Sequence, residues 1–167
     1  MKAINRIVTM IGIASLAAVS CNAPKEESTD GFRYLLDEFA DLKVIRYTVP
    51  GWEELSLQQK EYVYHLTEAA KWGRDIYWDQ NCAGNLALRK VLETIITEYD
   101  GDRECEDYKN FEVYAKRVFF SNGVHHHYAE DKFFPACSKE YFASLMAATG
   151  TSNEAVLNFV YDRENGL

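Results

Sequence analysis

The sequence predicts a mainly helical α+β domain, in which amphipathic helices pack around one core and a short strand lies near the N-terminus. Apolar residues recur at helical spacing in several segments after residue 56, and helix-capping residues flank most of these segments. A β-branched and aromatic stretch, residues 42–49, precedes them and partly alternates. The chain has 167 residues, 47% of them hydrophobic, which is enough for one domain with its own core.

The first 30 residues are predicted to lie outside this domain. Lys2 and Arg6 precede an apolar run, residues 7–19, that is too short to span a bilayer as a helix and is typical of a targeting segment. Small residues at 18–20 then precede Cys21, an arrangement similar to a bacterial lipobox. It implies cleavage before Cys21 and lipid on its sulfur. An ordinary secretory signal and an uncleaved anchor are the alternatives.

Residues 22–30 have no apolar periodicity and predict a flexible linker. The organisation is therefore a leader over 1–21, a linker over 22–30 and a domain over 31–167. It predicts a protein of the bacterial cell envelope, held to the membrane by its lipid.

Charge and cysteine content narrow the classes of partner. The formal net charge is −8 and no basic stripe occurs, so we expect no nucleic acid partner. With Cys21 assigned to lipid, Cys82, Cys105 and Cys137 remain, and their spacing matches no metal-ligand pattern. They predict semi-buried thiols with at most one disulfide and no catalytic cysteine.

The region from Gly31 to Pro50 predicts a short helix followed by an extended segment. Apolar residues between Phe32 and Phe39 have helical spacing, and Pro50-Gly51 is a turn pair that ends the extended part. A strand over 42–49 needs a pairing partner, and no second strand is evident in the sequence.

A capping box, Ser56-x-x-Gln59, predicts the start of the clearest amphipathic helix, whose apolar stripe runs as far as Tyr77. Gly73 within it is expected to permit close approach of another helix. Glu61, His65 and Glu68 share one face of this helix at the spacing of helical metal ligands. Because no second such group occurs, a solvated surface trio is the preferred interpretation.

Four further helices are predicted from apolar stripes and caps. Asn85 is expected to cap the first, and Asp100-Gly101 to end it. The next runs over 106–120, and its inward residues are Tyr108, Phe111, Tyr114, Ala115 and Val118. Ser138 caps the following helix, which Gly150 closes, and a capping box from Thr151 to Glu154 opens the last.

Three of the four histidines lie in one loop between two of these helices. Asn122-Gly123 favours positive φ and predicts the end of the preceding helix. In an extended segment His125 and His127 would share one face and His126 the other, so one ion would meet two imidazoles easily. Zinc sites need three or four ligands. A hydrogen-bonding loop, either structural or lining a substrate groove, is therefore preferred to a metal site.

An ordered series of short blocks extends from residue 32 to about residue 145. The strongest is Phe-Ser-Asn-Gly-Val-His-His-His-Tyr at 120–128, followed by Lys132-Phe133 and Pro135. The other blocks lie at 39–42, 45–47, 49–51, 59–60, 64, 66–67, 73–76, 79–81, 112–114 and 116–118. Together they resemble the N-terminal part of bacterial dipeptidyl peptidase III, a family of zinc metallopeptidases.

The resemblance implies two lobes around a wide cleft, with a peptide along a β-structured lower lobe and zinc held by a helical upper lobe. It implies peptides as substrates, shortened from their N-termini by dipeptides. Asn122, His125, His126, His127 and Tyr128 would form a wall or hinge of the cleft and hydrogen-bond the peptide backbone.

The family's zinc signature, His-Glu-x-x-x-His, does not occur in this sequence, which contains no His-Glu pair. We therefore expect no catalytic residue and no bound zinc in this chain alone, which would be a non-catalytic N-terminal part of such an enzyme. Its aromatic content predicts exposed apolar patches where the remainder would pack. The alternative is a non-enzymatic envelope lipoprotein that binds peptides or metal through the loop from His125 to His127.

Overall fold

A computed structural model describes residues 31–163. The predicted leader, the predicted lipid attachment at Cys21 and the predicted linker lie outside the described residues. The chain divides into two units between Arg33 and Tyr34, and the strands and helices belong to the second. In chain order they are β1 (Leu35–Phe39), β2 (Leu42–Ile45), a 3-10 turn (Trp52–Glu54), α1 (Leu57–Trp72), α2 (Arg74–Asn81), α3 (Asn85–Glu98), α4 (Glu106–Ser121), α5 (Lys139–Ala148) and α6 (Glu154–Tyr161). The predicted mainly helical α+β fold is confirmed.

The first two elements form an antiparallel hairpin, so the short helix predicted before β2 is wrong. Phe39 pairs with Leu42, which leaves a two-residue loop in which Ala40 has a φ of 50°. A positive φ suits the tight turns that join twisted strands. The expectation that β2 lacks a partner is also wrong, since β1 satisfies its backbone groups on one edge.

Two cations of α4 hold this hairpin. The Lys116 ammonium lies 2.9 Å from Asp37 of β1, and the Arg117 guanidinium lies 3.1 Å from Asp41 in the turn. The hydrogen bond to Asp37 raises the pKa of Lys116. These pairs are part-exposed, so they fix the orientation of the hairpin more than they add to stability.

The predicted capping box at the start of α1 is confirmed, but the helix does not join the core. The Ser56 amide donates to the Gln59 side chain at 2.9 Å, and the Gln59 amide donates to the Ser56 hydroxyl at 3.3 Å. None of the 16 residues of α1 is buried, and Trp72 at its end is 88% exposed. The predicted apolar patch is therefore present on this helix.

Gly73 ends α1 and precedes α2, and it does not mediate a close helix contact. A Cβ at this position would meet the Ala70 carbonyl at 3.6 Å and no other heavy atom within 4 Å outside its own local backbone. The predicted close approach is thus wrong. Within residues 31–163, no neighbouring helix comes within 4 Å of a Cβ placed on this glycine.

The core is built mainly from α3, α4, α5 and α6, and Trp78 of α2 joins it at 1% exposure. The ring of Phe111 meets that of Phe142 edge-on, with the centroids 5.4 Å apart. The five inward residues predicted for α4 are all buried, which confirms its stripe: Tyr108, Phe111, Tyr114, Ala115 and Val118.

A buried cation joins α2 to α3. The Arg89 side chain pairs with Asp75 of α2 and, at 2.8 Å, with Glu93 of its own helix. Its guanidinium also lies 5.6 Å from the centroid of the Trp78 ring. Because a buried charge is tolerated only when it is paired, Asp75 is a structural partner for Arg89.

Two helix caps differ from those predicted. Asn153, not Thr151, caps α6 by accepting from the Val156 amide at 3.2 Å. Asn85 is the first residue of α3, and its side chain makes no cap. Side chains of this type serve several kinds of local hydrogen bond, so spacing alone does not identify the cap.

The start of α3 packs directly against α6. A Cβ on Gly84 would lie 2.7 Å from the ring of Phe159, well inside van der Waals contact. Gly84 has a φ of −81°, which any residue adopts. Glycine is therefore required here because a side chain would not fit, and not because of the backbone conformation.

The replacement Gly84→Ala is expected to lower the free energy of unfolding by about 1–3 kcal/mol, because the added methyl group overpacks the contact with Phe159. Urea denaturation provides the measurement. Gly73→Ala is the matched control. It has space and a compatible φ, and we expect no loss and a gain of up to about 1 kcal/mol. Equal effects of the two substitutions would contradict the packing described for Gly84.

Candidate functional site

The helix α4 ends as predicted, at a left-handed residue. Asn122 has φ 54° and ψ 37°, and the Gly123 amide donates to the Val118 carbonyl at 3.0 Å. This is the usual way to satisfy the last carbonyls of a helix while the chain changes direction. The chain then enters the histidine loop directly from the end of a buried helix.

The loop is a tight hairpin, residues 124–133, which we call the histidine hairpin. The Phe133 amide donates to the Val124 carbonyl at 2.7 Å, and the His126 amide donates to the Asp131 carbonyl at 2.8 Å. His125 pairs with Lys132 as an isolated antiparallel bridge. Main-chain hydrogen bonds therefore fix the positions at which the three imidazoles leave the backbone.

The alternation expected for an extended segment fails after His126. The Ala129 amide donates to the His126 carbonyl at 3.1 Å, which turns the chain. As a result the rings of His126 and His127 stack, with centroids 4.4 Å apart, and do not lie on opposite faces. His127 also packs edge-on against Phe120 at 5.1 Å.

The tip of the hairpin gives His126 a defined hydrogen bond. The Tyr128 amide donates to Nδ1 of His126 at 3.2 Å, so Nε2 carries the proton in the neutral ring. The Tyr128 side chain is 90% exposed, and its ring lies 4.3 Å from that of His127. The tip thus carries an imidazole that can donate from Nε2 and a phenol that is exposed.

The hairpin borders a cavity of about 580 Å³, which we call the histidine cavity. Two segments that are far apart in sequence meet there: the junction of α2 and α3, and the end of α4 with the hairpin that follows it. Its lining consists of Asn81, Cys82, Ala83, Asn85, Ser121, Gly123, His125, His126, His127, Ala129 and Glu130. A second concavity, of about 680 Å³, is lined by one continuous segment, residues 48–54, and brings no distant groups together.

Two buried polar residues of the lining, Asn85 and Ser121, form what we call the floor of the histidine cavity. Asn85 joins this floor to the hairpin. It is 0% exposed, and its Oδ1 accepts a hydrogen bond from the Val124 amide at 3.1 Å. A Cβ on Gly123 would overlap the Asn85 amide group, so glycine is required where this side chain lies against the backbone. The Asn-Gly step at 122–123 is the only hint of this contact that the sequence contains.

Two buried polar atoms in the cavity lining have no hydrogen-bond partner in the described part of the chain. They are Nδ2 of Asn85 and Oγ of Ser121, and Ser121 is 7% exposed. Trp78, Tyr114 and Arg117 also carry such an atom, but none of these three lines the cavity. Sequence reasoning missed both Asn85 and Ser121 as site residues, because an isolated polar residue beside a turn is common.

The five residues predicted to bind substrate do not all lie in the cavity. His125, His126 and His127 line it, while Asn122 and Tyr128 flank it. The Asn122 carbonyl accepts from the Asn81 side chain at 3.5 Å, and Tyr128 projects outward. The functional role of all five remains a prediction.

Lys132 anchors the hairpin to α6. Its ammonium donates to the carbonyls of Phe159 at 2.5 Å and Asp162 at 2.9 Å, at the C-terminal end of that helix. A cation is favourable at this end of the helix dipole. Burial lowers the pKa of Lys132, and the charge of Asp162 acts in the opposite direction.

Within residues 31–163, no three His, Cys, Asp or Glu side chains are grouped so as to hold a metal ion. Glu68 of the α1 trio pairs with Lys71 at 2.5 Å, and Cys82, Cys105 and Cys137 are free thiols. The side chains in this range therefore do not fit the zinc site that the family resemblance implies. In the same range no helix is long and apolar enough to cross a membrane.

Comparison of the chain with protein-family models and with curated proteins gave no match. The resemblance to dipeptidyl peptidase III therefore stands on the sequence blocks alone.

The replacement Asn85→Ala is expected to lower the free energy of unfolding by about 1–3 kcal/mol, because the buried Val124 amide loses its acceptor. Chemical denaturation measures this loss. Asn81→Ala, which removes an exposed and long hydrogen bond to the Asn122 carbonyl, is the control and should change the value by less than about 0.5 kcal/mol. If Asn85→Ala were equally mild, Asn85 would not hold the hairpin.

Proposed function

We propose that this chain is the N-terminal part of a dipeptidyl peptidase III-like zinc aminopeptidase, and that it forms one wall of the peptide cleft without supplying a catalytic group. The observation that carries the proposal is the histidine cavity. A purely structural loop would be enclosed by helices, whereas this one borders a cavity of about 580 Å³, within the range of ligand sites.

The chemistry of the lining suits a peptide main chain. Imidazole and amide groups from His125, His126, Asn81 and Asn85 both donate and accept hydrogen bonds, as peptide N–H and C=O groups require. The apolar side chains in the lining are small, Ala83 and Ala129, so the cavity offers no deep apolar pocket for a particular side chain. Recognition would therefore depend little on peptide sequence.

The exposed helix α1 supports the assignment to a larger protein. Large apolar side chains lie uncovered along α1 and α2: Leu57, Tyr62, Val63, Tyr64, Leu66, Trp72, Ile76 and Tyr77. Soluble proteins rarely leave extensive apolar surface uncovered unless another element or partner packs there. Further polypeptide of the same enzyme would bury this face.

Binding of a neutral peptide tests the proposed cleft wall. N-acetyl-tetra-alanine amide, titrated into the purified protein and followed by NMR, is expected to shift resonances of residues 81–85 and 121–130. His127→Ala should weaken this binding about threefold to tenfold, because it removes an imidazole from the lining. His65→Ala is the matched control, since His65 lies on α1 and outside the cavity. No shifts, or equal losses in the two variants, would refute the proposal.

The reading frame that follows codon 167 tests the assignment to an enzyme. A frame that continues into His-Glu-x-x-x-His is expected, since the zinc ligands of the family lie beyond the part resembled here. A stop codon there would instead favour the second candidate, a non-enzymatic envelope lipoprotein that binds peptides. That candidate is favoured by one observation, namely that the lining of the cavity is provided entirely by residues 81–130.

A further inference from the structure

Two helices each contribute to the lining of the histidine cavity one residue that carries a buried, unpartnered polar atom. Asn85 begins α3 and Ser121 ends α4, and both residues are more than nine-tenths buried. Neither Asn85 Nδ2 nor Ser121 Oγ has a hydrogen-bond partner among residues 31–163. A buried polar atom left in this state destabilises a protein by about 1–3 kcal/mol, so two at one place need an explanation.

Local structure does not explain the Ser121 hydroxyl. Hydroxyl groups in helices usually bond back to a carbonyl one turn earlier. Four threonines of this chain do so, each at 2.8–3.0 Å: Thr67, Thr94, Thr97 and Thr149. Ser121 makes no such bond, although it also follows a full turn of helix. Its hydroxyl therefore stays available to a group from outside the helix.

Only one of the two polar atoms of the Asn85 side chain forms a hydrogen bond within the described chain. Its Oδ1 accepts from the Val124 amide, which fixes the orientation of the side chain and leaves both N–H bonds of Nδ2 without an acceptor. The lining of the cavity thus contains a fixed amide donor and a hydroxyl that can also donate. The missing partner is an acceptor oxygen.

The charge of the cavity decides which oxygen fits. No lysine or arginine lines it, and Glu130 is its one carboxylate. Lys132 on the hairpin binds the end of α6 and Arg117 on α4 pairs with Asp41, and neither residue lines the cavity. A carboxylate or phosphate would enter beside Glu130 and without a lysine or arginine to pair with, whereas a neutral carbonyl needs no counter-charge.

We infer that Asn85 Nδ2 and Ser121 Oγ together hold a main-chain carbonyl oxygen of a bound peptide. The inference rests on the proposed function and names the part of the ligand that reaches the floor of the cavity. Both atoms are shielded from solvent, so the side chains above them must shift to admit the carbonyl. The hydrogen bonds then form away from water, where they are stronger than at the surface.

Ser121→Ala is the primary test, because the hydroxyl has no partner within the described chain that its removal would orphan. With N-acetyl-tetra-alanine amide as the probe, we expect the affinity to fall about threefold to tenfold. The unfolding midpoint in urea should stay the same or rise. Ser144→Ala is the matched control, since Ser144 is a helix serine outside the cavity that bonds back to the Tyr141 carbonyl. It should leave the affinity unchanged.

Asn85→Asp is the second variant. It keeps an oxygen for the Val124 amide but replaces the Nδ2 donor with an acceptor, so peptide binding should be lost. If burial of the new carboxyl group prevents folding, the carbonyl site is tested by Ser121→Ala alone. Acetate, added as a competitor, should not displace the peptide. Displacement would show that the floor binds a carboxylate and would overturn the inference.

The outcomes separate this inference from the proposed function. If the wild-type protein binds the peptide and His127→Ala weakens binding, but Ser121→Ala does not, the cleft wall stands and the carbonyl site is refuted. A fall in stability of Ser121→Ala would show a structural role for the hydroxyl and also refute the site. If the wild-type protein binds no peptide, both proposals fail together.

Discussion

One buried hydrogen bond, from the Val124 amide to the Asn85 side chain, sets the geometry of the histidine hairpin. It joins residues 39 positions apart in the chain, and both partners are fully buried. Gly123 makes it possible, because any side chain there would occupy the space of the Asn85 amide. Since the bond is made in the interior, water cannot replace it without exposing the backbone of the hairpin. The start of α3 and the three imidazoles consequently keep a fixed relation.

Two cations, Lys132 and Arg117, also hold the hairpin in place. The Lys132 ammonium binds the carbonyls at the end of α6, and the Arg117 guanidinium lies 4.6 Å from the centroid of the Phe133 ring. These contacts secure the base of the hairpin, whereas its tip at His127 and Tyr128 is exposed. A rigid base with polar groups at its edge resembles the usual construction of a binding loop on a scaffold. The base therefore fixes the positions at which the imidazoles leave the backbone.

Local signals in the sequence predict most of the helices, although not the break at Gly73 between α1 and α2, and distant contacts explain the other errors. The Ser56 capping box and the buried stripe of α4 depend on residues within one or two turns of each other, so spacing alone identifies them. The segment Leu35–Phe39 has apolar residues that fit a helix as well as a strand, and pairing with β2 decides between the two. The position of Asn85 at the start of the α3 stripe predicts a helix cap. Its true partner, Val124, is remote, and no local pattern reveals it. The concentration of histidines singles out this loop but leaves open whether it is structural or lines a groove, and no pattern in the sequence indicates Asn85 or Ser121 in the lining.

The exposure of α1 has a consequence for how the protein unfolds. A helix of 16 residues is only marginally stable on its own in water, and α1 buries none of its side chains against the core. Its capping box and its ion pair between Glu68 and Lys71 act within the helix and do not tie it to the remainder. Melting of α1 therefore uncovers little additional apolar surface and need not disturb α3 to α6. The free energy of local opening is therefore lowest for α1 and highest for the aromatic centre around Phe111.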